Sequence, residues 1–103
     1  MCIRDRLRNE WNYPYWITSD AGSVDLLISE HGTCDTRECA AKTAVENYSG
    51  EMGGGSYTYL TLPDQVRNGT VDVKYIDDTV KTMLRVKFTL GLFESTILSL
   101  IHI

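Results

Sequence analysis

The sequence is poor in the residues that stiffen, cross-link or ligate. Its 103 residues include two prolines, three cysteines and two histidines. His31 stands near Cys34 and Cys39 but has no fourth partner, so the tetrahedral set of a structural zinc site is missing and no metal is expected. No apolar run approaches the roughly 18 residues that span a bilayer, and no membrane partner is expected. The first ten residues carry charges where a signal peptide would need an apolar segment. A basic surplus is also missing. The formal net charge is -4 and no Lys/Arg stripe offsets it, which argues against a nucleic-acid partner. Gly53-Gly54-Gly55 lacks the Lys-Ser/Thr ending of a phosphate loop, and no cofactor is expected. What remains, 43% hydrophobic and 23% charged residues, is ordinary for a soluble globular chain long enough for one small domain.

The two ends read differently from the middle. Met1-Cys2-Ile3-Arg4-Asp5 can be encoded by ATG TGT ATA AGA GAC, and Leu98-Ser99-Leu100-Ile101-His102-Ile103 by CTG TCT CTT ATA CAC ATC. These strings are reverse complements over almost their whole length and look like the mosaic-end adapter of transposase-based sequencing libraries. Residues 1–6 and 98–103 are therefore expected to be non-native and are set aside from fold reasoning, leaving 7–97 as the segment to interpret. On that reading both natural termini are missing, and the absent signal peptide says nothing about location.

Along that segment the residues alternate between helical and extended patterns. Residues 7–11 have helical spacing ahead of Pro14. Residues 15–18, Tyr-Trp-Ile-Thr, are aromatic and β-branched and suit a buried strand. Residues 19–23 are turn formers, and 24–30 read as a short helix with Ser23 available as its cap. A helix is predicted over 36–47, with Cys39, Ala40, Ala44 and Val45 on its narrow apolar side. A second short strand is expected over 49–52, then the triple-glycine loop, whose backbone can approach a ligand closely. Helical spacing resumes over 57–67, interrupted at Pro63 and stopped by Asn68-Gly69. The last helix repeats Ile76, Val80, Met83, Leu84, Lys87 and Phe88 on one face and closes at Gly91. Such alternation implies parallel β/α units in an α/β fold.

Chemistry concentrates at Ser19-Asp20, where the first strand meets its loop. Taken locally, an aspartate there is either a turn or cap residue or a carboxylate presented to a ligand. Glu51 is either a surface carboxylate or a hydrogen-bond acceptor for a ligand; Met52 either packs in a core or lies beneath a ligand. Two N-x-S/T triplets occur, Asn47-Tyr48-Ser49 and Asn68-Gly69-Thr70. The second falls in an exposed turn, which makes Asn68 the better glycosylation candidate. Cys34 and Cys39 are either a disulfide in an oxidising compartment or two free thiols.

The run Leu7-Arg8-Asn9-Glu10-Trp11-Asn12-Tyr13-Pro14-Tyr15-Trp16-Ile17-Thr18-Ser19-Asp20 resembles the L-R-x-E-W-G-F-x-G-x-V-x-S-D pattern of glycoside hydrolase family 3. The alanine-rich stretch from Ala40 that runs into Glu51-Met52 is similar to the same family. So is Ile76-Asp77-Asp78-Thr79-Val80 with the following Leu84 to Glu94 stretch. The run Ser19-Asp20-Ala21-Gly22, together with Met52-Gly53-Gly54-Gly55-Ser56-Tyr57-Thr58-Tyr59, resembles a fungal subset of β-glucosidase-like sequences.

The resemblance implies a partial (β/α)8 barrel, roughly its last two β/α units plus a closing helix; a whole barrel takes about 250 residues. It also implies a retaining β-glycosidase acting on β-linked glucosides or related glycosides, with a carbohydrate as substrate partner and an extracellular setting. Asp20 corresponds to the nucleophile that forms a glycosyl-enzyme intermediate, and loop amides can stabilise its ionised form. Ala21, Glu51 and Met52 fall at sugar-binding positions, and the acid/base lies outside the fragment. Ala21 stands where many members have Trp, and Asn12 and Tyr15 replace expected glycines. These departures leave sugar identity open and admit an alternative, a catalytically silent carbohydrate-binding member.

Overall fold

In the computed structural model, residues 3–47 and 57–94 are described. Their regular elements are helical. Helix α1 spans Ile3–Asp5 and continues as a π-helical turn over Arg6–Glu10. Helix α2 spans Leu26–Ser29, α3 Arg37–Asn47, α4 Leu62–Arg67 and α5 Val73–Thr89; a 3-10 turn over Thr58–Thr61 leads into α4. The strand expected over 15–18 is reduced to a single bridge residue, Thr18, in otherwise irregular chain. A parallel strand is defined by ladder bonds to neighbours on both sides, and the described residues supply no such ladder. The second expected strand, 49–52, lies outside them, as do Glu51 and Met52.

Helix α3 is the centre of the packing, because alanine lets other backbone come close on both of its flanks. Ala40 and Ala44 are buried with Val24 and Cys34 on one flank, and Leu27, Ile28, Cys39 and Tyr59 pack against that group. Ala41 and Val45 are buried with Leu62 and Val71 on the other, joined by Tyr59, Val66, Tyr75 and Ile76. The expected apolar positions are thus central ones, with Ala41 added and Cys39 only half-buried. Gln65 fastens α4 to α3: its Nε2 donates to the Glu38 carbonyl at 3.1 Å and to Thr61 Oγ1 at 3.0 Å. Cys34 and Cys39 form a disulfide with Cα atoms 5.6 Å apart, clipping the approach to α3 onto its first turn.

The chain ends of the helices follow their sequence signals in most places. Asp72 caps α5 by accepting from the Lys74 N–H at 3.0 Å. At the other end Gly91 has φ 72°. Its N–H reaches the Phe88 carbonyl at 3.0 Å, and the Leu92 N–H reaches Lys87 at 3.1 Å, the paired bonds of a Schellman closure. Ser23 does not cap α2. The helix begins three residues later, after overlapping turns in which Ser23 N–H bonds to Asp20 and Asp25 N–H to Gly22. The predicted apolar face of α5 is present but uncovered: Ile76 is half-buried, while Val80, Leu84 and Phe88 are exposed at 47%, 40% and 66%.

Candidate active site

Asp20 sits where the irregular segment 11–19 enters those turns. Two things fix the entry. Arg8, in the π-helical turn, donates from Nη1 to the carbonyls of Tyr13 at 2.7 Å and Tyr15 at 2.6 Å, and its guanidinium lies 5.6 Å from the Tyr13 ring centroid. Asn12 takes φ 53° as the chain leaves that turn, with Tyr13 N–H bonded back to Leu7. This left-handed conformation suits glycine, and asparagine is among the few other residues that adopt it readily. Arg8 belongs to the family-like run, but its role in gathering two carbonyls has no signature in periodicity.

Asp20 itself is exposed, and its Oδ1 accepts from the Ala21 N–H at 2.7 Å. Its backbone carbonyl accepts from Ser23 at 3.0 Å, so the carboxylate springs from a defined turn. Its chain neighbours Ser19 and Ser23 line a cavity of about 260 Å³ with Ile17, Thr18, Val24, Leu27, His31 and Ala44, and Asp20 itself does not line it. Ala21 is exposed next to Asp20. Asn68 lies apart from this region, at the C-terminal end of α4. The structure therefore brings together Asp20 and Ala21 alone among the candidate site residues, and Glu51 and Met52 lie outside the described residues.

Asp25, five positions after Asp20, was not singled out in the sequence. Its carboxylate accepts from the hydroxyl of Thr58, a residue with no exposed surface. The Asp20 turn region is thereby tied to the 3-10 turn over Thr58–Thr61. Among the described residues no group of three or more His, Cys, Asp or Glu side chains is placed to hold a metal ion. No described helix is long and apolar enough to cross a membrane.

No family model matches the chain. Curated relatives do. A periplasmic β-glucosidase of Salmonella typhimurium is 32% identical over 92 residues, covering 89% of this chain and 12% of that protein. A xylan 1,4-β-xylosidase of Xylanibacter ruminicola is 32% identical over 89 residues, covering 86% of this chain and 10% of that protein. Among solved structures, a β-glucosidase from Listeria innocua in complex with glucose superposes with a TM-score of 0.80 at 33% identity. That match covers 89% of this chain and 13% of the enzyme. The chain thus spans about an eighth or less of the length of the relatives it matches. Over nearly nine-tenths of its residues, in sequence and in backbone, it is a glycoside hydrolase segment of the family 3 type, related to β-glucosidases and β-xylosidases.

Proposed function

We propose that the full-length protein carrying this segment is a retaining β-glycosidase in which Asp20 is the nucleophile. The observation that carries the reading is the placement of Asp20: an exposed carboxylate on a defined turn at the exit of the irregular segment 11–19, within a region that aligns with β-glucosidases. In such an enzyme the carboxylate attacks the anomeric carbon as the glycosidic C–O bond breaks, and an acid from elsewhere in the protein protonates the departing oxygen. Water, deprotonated by that same group, then attacks the anomeric carbon and releases Asp20. The two displacements together retain configuration.

The rest of the reading follows from the same alignment. The segment contributes roughly the last two β/α units and the closing helix of a (β/α)8 barrel, with residues 7–97 native to it. The uncovered face of α5, at Val80, Leu84 and Phe88, is where the remainder of that barrel packs. By the same resemblance, Glu51 and Met52 are assigned to sugar-binding positions. Ala21 leaves open the space that an aromatic would fill beside the nucleophile, which widens the choice of sugar. The substrate is a β-linked glucoside or related glycoside; the Listeria innocua protein's complex with glucose supports that class.

The test is substitution in the full-length enzyme. Asp20→Asn or Asp20→Ala is expected to abolish turnover of an activated β-glucoside while leaving the folded protein intact by circular dichroism. Wild-type rates in either variant would overturn the assignment.

A further inference from the structure

The sequence favours Asn68 over Asn47 as a glycan acceptor, and the fold adds the hydrogen bonds that distinguish them. Asn68 is the C-cap of α4 and is exposed. Its Oδ1 accepts from the Thr70 N–H at 3.0 Å and from the Thr70 hydroxyl at 2.5 Å. Both donors meet the oxygen, so the amide nitrogen is the atom left facing outward, and among the described residues it donates to nothing. Gly69, with φ 81°, makes this turn possible, since a side chain there would be strained. The turn is held from below. Lys42 Nζ donates to the Thr70 carbonyl at 2.6 Å, and Val71, 1% exposed, anchors the next residue in the core.

Asn47 is occupied differently. Its Nδ2, the atom a glycan would need, donates to the Thr43 carbonyl at 2.7 Å. It also lines a cavity of about 150 Å³ with Arg8, Trp16 and Tyr75.

A second observation, independent of either triplet, concerns the compartment. Cys34 is 4% exposed, and its bond to Cys39 sits in the cluster formed by Val24, Ala40 and Ala44. A buried structural disulfide of this kind persists in secretory and extracellular environments, where N-linked glycosylation takes place.

We propose that Asn68 is an N-linked glycan acceptor, that Asn47 is not, and that the protein matures in an oxidising secretory compartment with Cys34 and Cys39 paired. The inference does not depend on Asp20 or on any hydrolytic activity. Modification joins the sugar's anomeric carbon to Asn68 Nδ2, with a lipid diphosphate as leaving group and the amide proton lost. Neither Asn68 nor Thr70 then loses a contact that holds the core.

The experiment is peptide mapping of the full-length protein secreted from a eukaryotic host, without reduction. Trypsin frees residues 68–74 after Arg67 and Lys74, and cuts at Arg37 between the two cysteines. The expected result has three parts: a glycan on the 68–74 peptide, none on the 43–67 peptide containing Asn47, and residues 9–37 and 38–42 recovered joined by a disulfide. Glycosidase release in heavy-oxygen water should convert Asn68 to isotopically labelled Asp, and Thr70→Ala should abolish the glycopeptide while leaving β-glucosidase turnover unchanged. An unmodified 68–74 peptide, a glycan on Asn47, or free thiols at Cys34 and Cys39 would each overturn the proposal.

Discussion

The hydroxyl of Thr58 donates to the carboxylate of Asp25 across 33 residues of chain. This bond joins the helix that follows Asp20 to the turn that follows the glycine-rich loop. The hydroxyl is fully buried, so removing it strands a carboxylate contact that solvent does not readily replace, at a cost of about 1–3 kcal/mol. Thr58→Val in the full-length enzyme is expected to lower stability by that amount in urea unfolding and to reduce kcat more than it changes KM. Thr58→Ser, which keeps the hydroxyl, should recover most of both. Equal behaviour of the Val and Ser variants would show that the hydrogen bond positions nothing.

Asn12 gives a sharper sign. Because its φ is 53°, Asn12→Gly is expected to be neutral or slightly stabilising in the folded state. Asn12→Val should cost about 1–2 kcal/mol, as a β-branched residue resists the left-handed region. Thermal unfolding of the two variants checks this, and a Val variant as stable as the parent would exclude the conformation.

Arg8 donates to two carbonyls from one nitrogen, Nη1, while its planar guanidinium lies over the Tyr13 ring, a combination the shorter, compact ammonium of lysine does not reproduce. Arg8→Lys is therefore expected to behave like Arg8→Ala rather than like the parent, with faster hydrogen exchange at the amides of residues 13–19. Parent-like protection in the Lys variant would reduce Arg8 to a surface charge.

Both flanks of α3 are closed by packing at alanine. Ala41 has no exposed surface and meets Leu62 and Val71, so Ala41→Leu forces these neighbours apart at about 1–3 kcal/mol. A stability change near zero, measured by chemical unfolding, would mean that the flank is looser than described.

Much of this was legible in the sequence where the signal is local. Gly91 and Asn68-Gly69 end helices because left-handed closures need such residues, and Ala40, Ala44 and Val45 are buried where the spacing put them. Asp20 stands at the start of a turn, where the local run of turn formers 19–23 puts it. The pairing of Cys34 with Cys39 was left open by spacing alone and is settled by the fold. Nonlocal features were not legible. Nothing near Thr58 announces its bond to Asp25, and the Gln65 link to Glu38 crosses 27 residues. The strand over 15–18 was read from propensity, which states that residues suit a sheet but supplies no neighbouring strand. The one-face stripe on α5 is legible as apolar from its spacing, but spacing does not say what covers it, because burial requires a second surface.

The most direct measurement of the central claim is trapping. The full-length enzyme incubated with a fluorinated mechanism-based β-glucoside should accumulate a covalent glycosyl-enzyme, and digestion should place the sugar on the peptide of residues 9–37 at Asp20. A label on a different carboxylate, in an enzyme that turns over the unmodified glucoside, would contradict Asp20 as the nucleophile.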